Sequence, residues 1–99
     1  MQSQYPAQFV RDMGCTEREW LTWLQAALPD HPWQVAKGQA QVPIKGGFLH
    51  LSWQVLPPRQ IALMRIPRLQ VAFRFEDLSD EDRLHFMRRF DLLTQRGGG

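Results

Sequence analysis

Between Gly47 and Phe75 hydrophobic and polar residues alternate with a period of two. Leu49, Leu51, Trp53 and Val55 are interleaved with His50, Ser52 and Gln54, and Leu69, Val71, Phe73 and Phe75 with Gln70, Ala72 and Arg74. Successive side chains of a strand point to opposite faces, so this pattern predicts strands with one buried and one open face. Short runs of β character occupy 33–36, 39–44, 48–56, 59–66 and 69–76, separated by Lys37-Gly38, Gly46-Gly47, Pro57-Pro58 and Pro67-Arg68. Each separator has turn chemistry. Treated as hairpin connections, they pair Val35 with Ala40, Val42 with Leu51, Leu49 with Ile66, Met64 with Val71 and Ala62 with Phe73. Every apolar residue expected inside then falls on one face, and a slip of one residue would flip a strand. Proline does not suit the positive φ of primed turns, so the two proline connections are expected to be longer loops of the same parity.

Two helical patterns flank the β region. Thr16 with Glu19 three residues on has the form of a capping box, and Trp20, Trp23, Leu24, Ala27 and Leu28 follow at helical spacing before Pro29. The second helix is expected to start at Ser79, with Asp82 as capping partner and acids in its first turn, and to bury Phe86, Met87, Phe90 and Leu93. The reading is an α+β fold in two layers. A five-stranded antiparallel meander carries an N-terminal and a C-terminal helix on its apolar face, in the order α-β-β-β-β-β-α. Trp20, Trp23, Trp53, Phe73 and Phe90 are expected to meet in its core. Residues 1–99 form a single domain, with 1–14 a flexible arm docked by its aromatics and 96–99 a frayed glycine-rich tail.

Composition narrows the class. One cysteine excludes an internal disulfide framework and fits a reducing compartment. No secretory signal and no apolar run of membrane-spanning length is present, so the expected location is the cytoplasm, without a membrane partner. The net charge is +2, but residues 51–99 hold eight arginines, and five acids (Glu76, Asp77, Asp80, Glu81 and Asp82) form one block. This balance permits an anionic partner without demanding one.

The open face is where a function is expected to sit. By the hairpin register, His50, Arg65 and Gln70 form one row beside Pro43. Gln41, Ser52, Leu63 and Ala72 form the next, then Gln54, Ile61 and Arg74, with Arg59 opposite Glu76. The candidate binding set is His50, Ser52, Gln54, Ile61, Leu63, Arg65, Gln70 and Arg74. Leu84 and Leu92, on the side of the last helix away from Phe86, Phe90 and Leu93, form a second candidate interface with Arg88 and Arg89. Single-stranded nucleic acid fits this face poorly, because bases stack on aromatics and only Phe48 is expected outside.

No catalytic motif stands out. Cys15 precedes a helix start, where a thiol pKa can fall, but it has no identifiable His partner and reads as a small buried filler. His31, His50 and His85 lack metal-ligand spacing, and neither HExxH nor CxxC occurs, so no metal or other cofactor is expected. The terminal Arg96-Gly97-Gly98-Gly99 resembles the diglycine tails of ubiquitin-like and sulfur-carrier proteins, which implies conjugation or group carriage through the terminus. The match covers those four residues only, and those families place a helix within the order of the sheet, whereas here the helices come at the ends. The expectation is a non-enzymatic domain acting through a protein-interaction or ligand-binding surface, its partner another protein or a second copy in a homodimer. The competing classes are a thiol- or glycine-tail-dependent enzyme or carrier, and a nucleic-acid binder using the arginines of the open face.

Overall fold

The computed structural model describes residues 5–28 and 34–94. Its elements run β1 (Gln8–Met13), α1 (Glu17–Ala27), β2 (Gln34–Ala36), β3 (Gln39–Ile44), β4 (Gly47–Ile61), β5 (Met64–Glu76) and α2 (Asp80–Thr94). The five strands form one open antiparallel sheet in the order β1-β5-β4-β3-β2. The fold is α+β with both helices on one face, as the hydrophobic pattern predicts. Which segments supply the strands differs in two places.

The first difference lies at the prolines. Pro57-Pro58 and Pro67-Arg68 are not connections: β4 and β5 run through them as one long hairpin that turns at Ala62-Leu63, with Ala62 in the left-handed region (φ 53°). Leu56 pairs with Arg68 and Arg59 with Ile66, so Pro57 and Pro58 together oppose Pro67 in a bulge. Proline breaks a central strand because it lacks the N–H that a neighbour needs. Here β3 pairs only with residues 47–52 and β1 only with 69–74, so among the described residues no strand pairs with the distal hairpin and the missing donors are not missed. Ala62 and Met64 therefore sit at the tip of a projecting arm, Met64 well exposed, rather than in the core where the alternation puts them. Leu49 consequently pairs with Phe75, Leu51 with Phe73 and Trp53 with Val71.

The second difference is the N-terminal segment. Residues 8–13, expected to be part of a flexible arm, form the edge strand β1 beside β5, with Phe9 opposite Phe73 and Met13 opposite Leu69. The alternation is hidden in sequence because the inward position between them is Arg11. Its guanidinium donates to Asp91 on α2 at 2.6 and 3.0 Å and lies over the rings of Phe9 and Phe73, 5.5 and 5.4 Å from their centroids. Tyr5 donates its hydroxyl to the same carboxylate at 2.8 Å. The β3–β4 turn is Lys45-Gly46, both at positive φ (47° and 93°) as a primed turn requires, one residue earlier than Gly46-Gly47. That moves the register by two and leaves every face unchanged, with Val42 opposite Leu49 and Ala40 opposite Leu51.

Both helices start as their caps dictate. Thr16 and Glu19 exchange the two hydrogen bonds of a capping box, and Ser79 accepts from the Asp82 N–H at 3.1 Å. Trp20, Leu24, Ala27 and Leu28 from α1 and its end meet Met87 and Phe90 from α2 over Leu49, Leu51, Trp53, Leu69, Val71 and Phe73. Trp20 is central, edge-on to Trp53, Phe73 and Phe90 at 5.8, 6.5 and 6.2 Å. Four of the five expected core aromatics meet there; Trp23 is only partly buried at the margin. No helix among the described residues is long and apolar enough to cross a membrane.

Candidate functional site

The open face of the sheet is a trough of about 740 Å³ that reaches from β1 to β2. Three sets of residues give it its character. Amides and a hydroxyl (Gln8, Gln39, Gln41 and Ser52) line it, Val10, Ala36 and Ala72 contribute apolar surface, and His50 and Arg74 bring the nitrogens that carry or accept charge. The register explains the grouping. His50 on β4 stands between Gln41 on β3 and Arg74 on β5, and Ser52 between Gln39 and Ala72. Gln54 faces Gln70, which has Asp12 on its other side. His50 is oriented by a 2.7 Å contact from Nε2 to Glu76.

Of the candidate binding residues, the fold brings His50, Ser52, Gln54, Gln70 and Arg74 onto this one surface. Arg65 does not join His50: it lies on the arm opposite Gln60. Ile61 pairs with Met64 and Leu63 is in the turn, so these two cap the arm instead of forming a mid-sheet stripe. Arg59 faces Ile66, not Glu76, whose carboxylate is taken by His50. All four corrections follow from the single long hairpin, which carries residues 57–67 off the sheet. On α2, Leu84 is partly buried against the core, while Leu92, Arg88 and Arg89 are exposed, so the two leucines do not form one patch.

The arm extends the open face. Pairing continues from Gln54–Gln70 through Leu56–Arg68 and, past the bulge, Arg59–Ile66 and Ile61–Met64. Its base is fixed by Arg68, which grips Asp12 on β1 at 2.6 Å; the guanidinium holds that carboxyl below its ordinary range. Its end is bare. Ile61, Leu63 and Met64 are 52, 100 and 63% exposed, while Val55, 66% exposed, lies at the base opposite Leu69. One signal for this region is plain in the sequence and concerns charge, not hydrophobicity: residues 31–75 contain Lys37, Lys45, Arg59, Arg65, Arg68 and Arg74 and no acid at all. The sheet's long hairpin is thus cationic up to Glu76, its one acid, at the end of β5.

Among the described residues no hydrogen bond joins Ser52 to His50, whose Nε2 is taken by Glu76. No group of three or more potential metal ligands occurs among the described residues. His31 and the glycine tail lie outside the described residues.

Cys15 is buried, and burial, reinforced by the Glu19 charge, pushes its thiol up to about 11. A raised pKa means the folded state holds this proton more tightly than the unfolded chain. The resulting stability is fully present below the unfolded value of about 8.5 and is lost as pH rises through the folded one. Two results are expected. Alkylation of the folded protein near pH 8 is much slower than in denaturant, and between about pH 9 and 11 the melting temperature falls more steeply for the parent than for Cys15→Ala. Fast labelling of the folded protein at neutral pH would return Cys15 to the list of candidate nucleophiles.

No protein-family model and no curated protein matches the chain.

Proposed function

We propose that this is a protein-interaction domain whose binding surface is the open sheet face together with the β4–β5 arm, and that it does no chemistry of its own. The observation that carries the reading is the arm's end. Three large apolar side chains there, Ile61, Leu63 and Met64, are more than half exposed on a ribbon that projects beyond the neighbouring strands. Scattered apolar residues on a surface need no explanation, but a contiguous set on a projecting element marks a contact. Arg59 and Arg65 flank the tip, and arginine and methionine, here Met64, are among the residues enriched at protein interfaces. The glutamine-lined trough adds groups that donate and accept at once, which suits polypeptide amides better than a purely anionic polymer. Among the described residues it has no outward aromatic platform apart from half-buried Phe48, which counts against single-stranded nucleic acid.

The test is site-specific photo-crosslinking in the native host. A photoreactive residue at Leu63 or Gln41 is expected to yield a discrete protein adduct, and one at exposed Arg18 on α1 is expected to yield none. Adducts to nucleic acid alone, or equal labelling from all three positions, would overturn the reading.

A further inference from the structure

We infer that the partner is a second copy of this chain, the two copies lying antiparallel so that each arm docks on the acidic end of the other. This rests on the interaction reading above and names its occupant. The argument begins with distance. From the hairpin tip to Glu76, β5 runs through Met64–Glu76, and a strand of that length covers roughly 40 Å, at about 3.3 Å per residue. The longest dimension of the molecule is 46 Å. The arm tip and the start of α2 therefore occupy opposite ends of the long axis.

Those ends are opposite in charge. The arm contributes Arg59 and Arg65 beyond its Arg68–Asp12 base and contains no acid. The far end holds Glu76, Asp77, Asp80, Glu81 and Asp82. Among the described residues, Glu76, Asp80 and Asp82 are engaged by His50, Arg83 and Lys45, whereas Asp77 and Glu81 have no ion pair. Arg59 and Arg65 likewise have no ion pair, though the Arg59 charge acts on Asp12 from a distance. One chain cannot bring its own ends together, because the hairpin between them is a rigid paired ribbon. Two chains related by a twofold axis satisfy both contacts at once and close the assembly, the commonest symmetry of soluble oligomers. Apolar surface is available on the receiving side, where Phe48 and Leu78 are only half-buried. The alternative of joining sheets edge to edge through the arm is disfavoured, since Pro57, Pro58 and Pro67 remove three N–H donors from it. Two reciprocal docks also double the area one arm supplies, toward the about 800 Å² per partner of a stable complex.

Charge exchange tests this directly by sedimentation equilibrium, with folding of every variant checked by circular dichroism. The parent is expected to be dimeric at micromolar concentration. Arg59→Glu with Arg65→Glu, and separately Glu81→Lys with Asp82→Lys, are each expected to weaken the dimer by about a hundredfold, because like charges then face each other at both docks. Mixed in equal amounts, the two folded variants are expected to form a heterodimer, since every dock in the mixed pair joins opposite charges. A parent that stays monomeric at high micromolar concentration overturns the proposal, and so does a dimer that either variant leaves intact. A mixture that fails to associate overturns it as well. A monomeric parent that still gives a discrete protein adduct from Leu63 leaves the interaction reading standing with a different partner. One that instead retards duplex DNA would reassign the arm to nucleic acid.

Discussion

Replacing Trp20 by alanine is expected to cost about 3–5 kcal/mol, the range for deleting a large aromatic from a packed core. Total stability for a domain of this size is about 5–15 kcal/mol, so the variant should be largely or wholly unfolded near physiological temperature. The site leaves little room for relaxation. Trp20 is fully buried between the helices and the sheet, and its ring meets Trp53, Phe73 and Phe90, one neighbour from each of three other elements. No single side chain can close the cavity that alanine would leave. Trp20→Phe provides the control. The Trp20 indole N–H is buried without a hydrogen-bond partner among the described residues. Phenylalanine removes this unsatisfied donor while keeping most of the ring, so its cost is expected to stay below about 2 kcal/mol. Urea unfolding of the three proteins measures both differences. Equal midpoints for parent and alanine variant would mean that the helices do not pack on the sheet through this residue.

Asp91→Ala is expected to cost about 2–3 kcal/mol, less than breaking a fully buried pair because both side chains keep roughly a third of their exposure. The loss comes mainly from what is left behind. Arg11 points toward the helix layer, over Phe9 and Phe73, and its guanidinium would face apolar rings with no counter-charge. The Tyr5 hydroxyl would lose its acceptor too. Because this carboxylate joins β1 to α2, the effect should concentrate at the sheet edge. Hydrogen exchange is expected to speed up first in Gln8–Met13, ahead of β3 and β4. Arg11→Met with Asp91→Leu should recover much of the loss, as apolar replacements of paired charges commonly do. Uniform loss of protection across the sheet in Asp91→Ala would show that β1 is not held as a separable unit.

The same cluster makes a point about legibility. A charged residue at an inward position erased the alternation of β1, and its justification is an aspartate on the last helix, 80 residues along the chain. No local window contains both. The prolines misled in the opposite direction. In a short window they signal connections, and they do so because a central strand needs every N–H. Whether a strand is central is set by its neighbours, and among the described residues no strand flanks 57–67, because β1 and β3 pair only with 69–74 and 47–52. The candidate site inherits the second effect: His50, Ser52, Gln54, Gln70 and Arg74 lie on the open face, whereas Ile61, Leu63 and Arg65 belong to the arm and not to mid-sheet.

Face is a matter of parity, and parity survives errors of register by two. The turn at Lys45-Gly46 and the pairing of Leu49 with Phe75 both differ from the sequence expectation, yet β3, β4 as far as Trp53 and the C-terminal part of β5 bury the residues expected, Val55 alone being exposed. The sequence by itself therefore determined the secondary-structure class, the helix caps, the buried face and most of the core, because each rests on the chemistry of residues a few positions apart. The tertiary structure alone decided which strand follows which, that the distal hairpin leaves the sheet, and that basic and acidic ends lie at opposite poles. Those outcomes depend on how far neighbouring strands extend and on contacts between distant residues, quantities that no periodicity encodes.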